Sequence, residues 1–210
     1  MLNIWIEELK NKIFVKYLLA VAILFILTFL FYSKFLLFIE LRTGYIPYDP
    51  ILSLFNPVEL TWYIFSVLYL SFLLCVFELI KRPKAFLEGI FAYTILVIFR
   101  MISMYLVPFA PPPLMIPLLD PIVQLFGNGQ ILKNDLFFSG HTSTMIILYL
   151  TSERKYLKII ILIFTIFIAS SVLLQHVHYT IDVVAAPFFT ICSFNIARFI
   201  QNKLFKSIKY

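Results

Sequence analysis

The chain has 210 residues, of which 62% are hydrophobic and only 13% are charged. A soluble domain is usually about half apolar and about a quarter charged, so this composition excludes an ordinary soluble protein and indicates an integral membrane protein. The formal net charge is +6. This excess does not indicate nucleic-acid binding, because the basic residues are segregated into particular loops between the apolar segments.

Apolar segments of roughly the length that a bilayer requires, about 20 residues per helix, recur along the chain. They predict six transmembrane helices at roughly residues 17–39, 61–80, 86–107, 136–152, 157–175 and 181–200, of which the fourth is the shortest. The connections are short enough to predict an all-α bundle that forms a single membrane-embedded domain over residues 1–210. The segment before the first span is either an interfacial amphipathic helix or a short frayed tail.

The distribution of basic residues predicts the orientation of the bundle. Cytoplasmic loops of membrane proteins are enriched in Lys and Arg, so we expect both termini in the cytoplasm and the other end at the outer, periplasmic or lumenal face. The cytoplasmic set is Lys10, Lys12, Lys16, Lys81, Arg82, Lys84, Arg154, Lys155, Lys158, Arg198, Lys203, Lys206 and Lys209, and the outer end holds Arg42, Arg100 and Lys133.

All three histidines lie in two short stretches, Ser139-Gly140-His141-Thr142 and His176-Val177-His178-Tyr179-Thr180-Ile181-Asp182. An imidazole or a carboxylate in apolar sequence costs free energy unless it has a partner or a task. The predicted topology places both stretches, together with Arg100, at the outer end. This coincidence predicts one concentrated site.

Two long connections at the outer end, residues 41–57 and 105–138, are rich in proline and predict stiff extended loops. Gly127-Asn128-Gly129 predicts a turn within the second of them. Both loops are either surface connections or a lid over the site.

The residue types of the two stretches support displacement at phosphorus. His178 and Asp182 are four residues apart, which places them on one face at the start of a helix. The carboxylate can then hold one imidazole nitrogen and leave the other as a nucleophile or base. His141, from another helix, can protonate the leaving oxygen. Arg100 and the backbone N–H groups of the Ser139-Gly140 turn can bind phosphate oxygens.

Three further side chains are candidates for this site. Asp135 precedes His141 by six residues and either orients it or is a solvated loop acid. Tyr105 and Tyr179 either line a pocket for a quaternary ammonium group through cation–π contacts or belong to interfacial aromatic belts.

Zinc is the main competing use of three histidines, since it takes three or four convergent ligands. The His-x-His spacing of His176 and His178 suits a strand better than a helix, and the acid at Asp182 suits a catalytic pair better. We therefore predict no metal and no other cofactor, and we interpret His176 either as structural or as a residue that supports the catalytic residues from behind. A serine hydrolase is less consistent still, because Ser139 lacks a Gly-x-Ser-x-Gly context.

At these residues the chain resembles a known family. The stretches Asp135-Leu-Phe-Phe-Ser139-Gly140-His141-Thr142 and His176-Val-His178-Tyr179-Thr180-Ile-Asp182-Val183-Val184 resemble the two signature motifs of sphingomyelin synthases and their relatives, within the type 2 phosphatidic acid phosphatase (PAP2) superfamily. A third segment, Arg100-Met-Ile-Ser-Met-Tyr105, resembles the synthase motif of the third helix. The matches occur in order and at comparable spacing within residues 100–184, and the family also has six spans.

The resemblance implies that His178 is the nucleophile of a phosphohistidine-type intermediate, that Asp182 activates it, and that His141 is the general acid and then the general base. The implied reaction moves a phosphorylated head group, phosphocholine- or phosphoethanolamine-like, from a phospholipid donor to a ceramide- or diacylglycerol-like acceptor, without metal.

One departure from the superfamily bears on the substrate. Its lipid phosphatases carry a Lys-x6-Arg-Pro motif and a Ser-Arg pair before the catalytic histidine, whereas this chain has Ser171-Val172, and its Lys81-Arg82-Pro83 lies at the cytoplasmic end. A phosphodiester monoanion needs fewer cations than a phosphomonoester dianion, so a transferase or a phospholipase C-like hydrolysis is favoured over a phosphatase. A lipid phosphatase, a phospholipase C-like hydrolase and a non-catalytic lipid-binding protein remain alternatives. The head group, the acceptor and the assembly state, monomer or homo-oligomer, stay open.

Overall fold

The computed structural model describes residues 2–120 and 132–206, and this part of the chain contains seven α-helices, numbered here α1 to α7. Their bounds are α1 Leu2–Lys10, α2 Lys12–Glu40, α3 Thr61–Leu79, α4 Pro83–Leu106, α5 Gly140–Thr151, α6 Lys155–Leu174 and α7 Thr180–Lys206, with a 3₁₀ turn at Leu52–Leu54. The all-α prediction is confirmed for these residues. The predicted turn at Gly127-Asn128-Gly129 and Lys209 lie outside the described residues.

Five helices, α2, α3, α4, α6 and α7, are long and apolar enough to cross a membrane. They correspond to five of the six predicted spans and are consistent with an integral membrane protein. The remaining prediction, residues 136–152, corresponds to α5, which has 12 residues and is well short of the length of about 20 that spans a bilayer. The helix begins late because Ser139 is its N-cap, with the Ser139 hydroxyl accepting a hydrogen bond from the Thr142 N–H.

Hydroxyl groups inside the long helices find their hydrogen-bond partners locally. Thr94 donates to the Ile90 carbonyl at 2.8 Å, and Thr165 and Thr190 make the same bond to the residue four positions earlier. In lipid these groups have no water to bond with, so this local bonding allows polar residues to occupy apolar helices.

The short helix α5 occupies the middle of the bundle. It packs against α3, α4, α6 and α7, and α4 also packs against α2 and α7. One core cluster lies where α3, α5 and α6 meet, and it includes Ile64, Cys75, Met145, Ile168 and Val172. A second lies between α4, α5 and α7, and it includes Ala92, Leu96, Ile147, Ala186 and Phe194. The central position of α5 holds its first turn, which carries His141, among four other helices.

All the connections 41–60, 107–120, 132–139 and 175–179 meet at one end of the bundle, which we call the site end. Tyr45 forms an isolated β-bridge with Phe109, and the Val58 N–H donates to the Leu174 carbonyl at 2.8 Å. These backbone bonds join the first connection to the second and to the end of α6. The site end is therefore a hydrogen-bonded layer of loops rather than a set of separate turns.

The opposite end of the bundle carries α1 and several ion pairs. The Trp5 indole donates to the Ile80 carbonyl at 2.7 Å and meets the Phe14 and Phe86 rings edge-on. Ion pairs join Lys84 to Glu8, Arg198 to Glu88 and Arg82 to Glu153. Lys81, Arg82, Arg154 and Lys155 of the predicted cytoplasmic set all lie at this end.

Candidate active site

The turn between α6 and α7 brings His178 and Asp182 together. His178 Nδ1 lies 3.2 Å from Asp182 Oδ2, and the two residues are 2% and 0% exposed. The sequence predicted both on one helix, but α7 begins at Thr180, so His178 precedes it. The pair forms because the Asp182 side chain reaches back past the first turn, where it also accepts the Tyr179 N–H at 3.1 Å. An acid at the third helical position that bonds to the residue before the helix is one half of a capping box.

His176 terminates α6 and faces away from this pair. Its φ of 55° is in the left-handed region. Its N–H bonds to the Leu173 carbonyl and the Val177 N–H bonds to the Val172 carbonyl, both at 2.9 Å, which is the Schellman pattern of helix ends. The imidazole meets the Phe55 ring edge-on at 5.2 Å, and burial lowers its pKa. These contacts agree with a structural role.

His141 is the second residue of α5 and faces His178. The centroids of the two imidazole rings are 6.3 Å apart with 60° between their planes, and the Phe65 ring lies edge-on to His141 at 5.9 Å. This separation is too long for a hydrogen bond between the rings, and it suits two side chains that approach one small group from different sides.

Several buried polar atoms beside this gap have no hydrogen-bond partner among the described residues. They are His141 Nδ1, Thr142 Oγ1 and the second carboxylate oxygen of Asp182, Oδ1. Leaving a buried polar atom without a partner costs free energy. The described residues contain five further atoms of this kind, which belong to Tyr17, Glu78, Arg82, His176 and Gln201. The three atoms belong to the two histidine-bearing stretches and are chemically suited to a polar ligand.

Arg100 packs directly against the start of α5. It is 4% exposed, its Nη2 lies 2.5 Å from Asp135 Oδ1, and its Nη1 donates to the Phe138 carbonyl. A Cβ on Gly140 would lie 2.7 Å from Nη1 and 2.9 Å from Cζ of Arg100. Only a glycine at position 140 therefore lets the guanidinium approach the helix so closely.

The structure shows which side chains Asp135 contacts. The sequence left open whether it orients His141, but its carboxylate pairs with Arg100 and accepts a hydrogen bond from the Tyr32 hydroxyl at 3.4 Å. No hydrogen bond joins Asp135 to His141 within residues 2–120 and 132–206. The Asp135 carboxylate is paired instead with the Arg100 guanidinium, which lies against Gly140.

The two predicted tyrosines do not turn their rings toward the histidines. Tyr105 is 57% exposed and lies under the Arg42 guanidinium, 5.1 Å from its ring centroid. The Tyr179 ring is buried edge-on against Phe109, and its hydroxyl donates to the Ala110 carbonyl at 2.9 Å. Burial, with the nearby carboxylates, raises the Tyr179 pKa to about 12, so the hydroxyl stays a neutral donor that joins the turn between α6 and α7 to the second connection.

The zinc alternative depends on whether enough ligand side chains lie close together in the structure. In the described part of the chain, no group of three or more His, Cys, Asp and Glu side chains could hold a metal ion. The zinc alternative requires His176 beside His178 and His141, whereas the His176 ring packs against Phe55.

Two polar residues that the sequence did not single out hold the turn between α6 and α7. Asp49 accepts hydrogen bonds from the N–H of Thr180 at 2.6 Å and from its hydroxyl at 3.0 Å. Gln175 is fully buried, accepts the Leu60 N–H at 2.9 Å and donates to the Thr61 hydroxyl at 2.9 Å. The Asp49-Pro50 pair signals a turn, and Gln175 is a polar residue that ends an apolar run, but neither signal identifies a distant partner.

The electrostatics of Asp49 follow from these bonds. Partial burial alone would raise its pKa, but hydrogen bonds from Thr180, Leu52 and Ile51 outweigh burial and lower the pKa. The carboxylate is therefore ionised near neutral pH, and its negative charge lies at the N-terminus of α7, where a helix favours an anion.

Comparison with known protein families found a match over part of the chain. Residues 134–199 match the family described as PAP2 superfamily C-terminal. The matched segment is less than half of the chain, but it includes His141, His178 and Asp182. Comparison with curated proteins found no match. The family match supports membership of the PAP2 superfamily for the matched segment.

Proposed function

We propose, from the superfamily match and the site geometry, that this protein transfers a phosphorylated head group between membrane lipids. The observation that carries the proposal is the buried His178–Asp182 pair, which faces His141 across a ring-centroid distance of 6.3 Å. A paired imidazole opposite an unpaired one supplies a nucleophile and a proton donor to the same phosphorus.

In the first step, His178 Nε2 attacks the phosphorus of a phospholipid. Asp182 holds the proton on Nδ1 at 3.2 Å and stabilises the positive charge that forms on the ring. The bond from phosphorus to the glycerol oxygen breaks, and His141, in its protonated form, gives its proton to that oxygen. The products are diacylglycerol and a head group bound to His178 through a P–N bond.

In the second step, the hydroxyl of an acceptor lipid attacks the same phosphorus. His141, now neutral, removes the hydroxyl proton, and the P–N bond breaks to restore His178. A ceramide- or diacylglycerol-like acceptor completes a transfer, whereas water completes a hydrolysis. The two histidines return to their starting protonation states, so no cofactor is consumed.

The N-terminus of α5 supports binding of the phosphate oxygens. The N–H groups of Thr142 and Ser143 bond to Ser139, while those of Gly140 and His141 make no hydrogen bond to another residue of the described part of the chain. Unused N–H groups at a helix N-terminus attract anions. The positive charge of Arg100 lies beside the same turn, although Asp135 offsets it.

The supply of cations favours a phosphodiester over a phosphomonoester. Val172 occupies the position where the resemblance to lipid phosphatases would require an arginine, and it is fully buried in an apolar cluster. Arg42 is stacked on Tyr105 and donates to the Tyr105 carbonyl at 3.0 Å, and Lys133 is exposed. Of these cations, only Arg100 contacts the segment that carries His141, and that single charge suits a monoanionic diester.

Hydrolysis of a lipid phosphate is the second candidate, because the superfamily match also fits a lipid phosphatase. Orientation is a further part of the proposal. The basic residues cluster at the end opposite the site, and the enrichment of Lys and Arg in cytoplasmic loops supports a site at the outer, periplasmic or lumenal face.

The test uses purified full-length protein in lipid nanodiscs with head-group-labelled phosphatidylcholine, phosphatidylethanolamine or phosphatidic acid, with and without ceramide or diacylglycerol. Transfer is measured as label in the acceptor lipid and hydrolysis as released label. We expect His178→Ala and His141→Ala each to lower turnover at least about 100-fold. His176→Asn is the matched control, because asparagine tolerates the left-handed backbone and the residue lies outside the catalytic pair.

The labelled intermediate gives a second measurement. Acid-labile label should accumulate on wild-type protein without acceptor and be absent from His178→Ala. Full turnover by His178→Ala would overturn the mechanism. Release of label only from phosphatidic acid, with no product in any acceptor, would replace transfer with phosphatase activity, and lipid binding without turnover would indicate a non-catalytic protein.

A further inference from the structure

We infer that Asp49, in the first connection at the site end, is a positioning residue for the His178–Asp182 pair, an inference that deepens the proposed function and rests on it. Asp49 lies far from the catalytic stretches in sequence and belongs to none of the segments that resemble a signature motif. Its carboxylate nevertheless bonds to the first residue of the helix that carries Asp182.

The first N–H groups of helix α7 have no side-chain acceptor from the residue that precedes the helix. The residue before it, Tyr179, has no side-chain oxygen that can reach the first N–H groups, since its hydroxyl bonds to Ala110 instead. Asp49 supplies the missing acceptor from another segment: Oδ2 accepts the Thr180 N–H at 2.6 Å, and Oδ1 accepts the Thr180 hydroxyl at 3.0 Å. A short hydrogen bond from an N–H to a carboxylate is charge-assisted and stronger than a neutral one.

Asp49 is also hydrogen-bonded within its own segment, so it can restrain the start of α7. Its Oδ1 also accepts the N–H groups of Ile51 at 3.0 Å and Leu52 at 3.2 Å, and its carbonyl accepts the Ser53 N–H at 3.2 Å. The same connection is bonded to other parts of the bundle through Tyr45 and Val58. The carboxylate is therefore held by its own segment as well as by α7.

Thr180 lies midway in sequence between the two members of the catalytic pair. His178 precedes it by two residues and Asp182 follows it by two. A shift of the first turn of α7 would change the 3.2 Å contact between His178 Nδ1 and Asp182 Oδ2, and with it the orientation of the nucleophilic nitrogen. A misplacement of about 1 Å in a reacting group can cost as much as about 100-fold in rate.

The experiment compares Asp49→Ala with Asn11→Ala in the full-length protein. Asn11 caps α2 in the same way, with Oδ1 accepting the Ile13 and Phe14 N–H groups, but it lies at the opposite end from the site. We expect Asp49→Ala to lower kcat about 10- to 100-fold with KM changed less than about twofold, because the substrate-binding groups of α5 stay in place. Asn11→Ala should lower Tm by a similar amount and leave kcat unchanged, and Asp49→Glu should restore part of the lost rate.

A second measurement does not depend on turnover. The chain has three histidines, so NMR of protein labelled at histidine gives few imidazole signals, and the His178→Ala variant assigns the one of interest. We expect Asp49→Ala to change the Nδ1 and Nε2 shifts of His178, and Asn11→Ala to leave them unchanged. Asp49→Asn, which keeps one acceptor oxygen, replaces Asp49→Ala if the latter does not fold.

The outcomes separate this inference from the proposed function. Unchanged His178 signals in Asp49→Ala, or a loss of kcat no larger than that of Asn11→Ala, would overturn the positioning role and leave Asp49 as a cap. If the wild-type protein neither transfers nor hydrolyses any tested lipid, the proposed function fails, while the His178 signals still decide whether Asp49 positions the pair.

Discussion

The backbone N–H of Ser139 donates a hydrogen bond of 3.0 Å to the carbonyl of Asp182. Ser139 caps α5 directly before the segment that carries His141, and Asp182 holds His178. One main-chain bond therefore ties the two histidine-bearing stretches together. Because it does not depend on a side-chain rotamer, this bond helps to set the distance between the two imidazoles in the backbone itself.

The carboxylate of Asp182 should matter through its negative charge beside His178. We predict that Asp182→Asn lowers kcat at least about 100-fold while the protein stays folded, because the asparagine oxygen can still accept the Tyr179 N–H that Asp182 accepts now. The same oxygen, Oδ2, also contacts His178 Nδ1, so the variant keeps the geometry and loses the negative charge that stabilises the imidazolium formed during attack. Steady-state kinetics and thermal unfolding check this, and a variant with normal kcat would show that the pair is not catalytic.

Gly140 should be required by the guanidinium of Arg100. We predict that Gly140→Ala lowers kcat about 10-fold or more, because its Cβ would lie 2.7 Å from Arg100 Nη1 and force the charge away from α5. Gly89→Ala is the matched control, since its Cβ would meet only the Thr151 methyl group, at 3.1 Å, at the other end of α5. Equal losses of kcat in the two variants would contradict a specific role for the Arg100 contact.

The left-handed backbone at His176 predicts the order of stability of two variants. His176→Gly and His176→Ala both lose the ring contact with Phe55, but alanine also retains the cost of the φ of 55°, about 1 kcal/mol. We expect His176→Gly to be the more stable by about that amount in denaturant unfolding, with kcat of both within about twofold of wild type. The reverse order of stability would show that the helix end rearranges.

Asp49 should make the stability of the protein depend on acid pH. Its pKa is lower in the folded protein than its ordinary value, so its stabilising contribution is present above a pH of about 4 and is lost as the pH falls through the folded-state pKa. Asp49→Asn lacks this titration. The difference in unfolding free energy between wild type and Asp49→Asn should therefore narrow as the pH falls from about 5 to about 3, and a constant difference over that range would contradict the assignment.

Much of the helical architecture could be predicted from the sequence because a bilayer permits few alternatives. Long apolar segments must satisfy their backbone hydrogen bonds internally, so five predicted spans correspond to α2, α3, α4, α6 and α7. The span predicted over residues 136–152 corresponds to a shorter helix, α5. Its apolar residues Leu136, Phe137 and Phe138 belong to the segment before the helix, and the cap at Ser139 begins α5 there.

By itself, the sequence determined that the histidines, Asp182 and Arg100 lie at one end of the bundle, because alternating apolar spans bring every second connection to the same side. Only the tertiary structure decided their partners. Asp135 pairs with Arg100 rather than with His141. Gly140 leaves room for the Arg100 guanidinium against α5. Asp49 accepts a hydrogen bond from the first residue of α7, the helix that carries Asp182. The apolar pattern of a span records its length but not its rotation or neighbours, and these contacts depend on both.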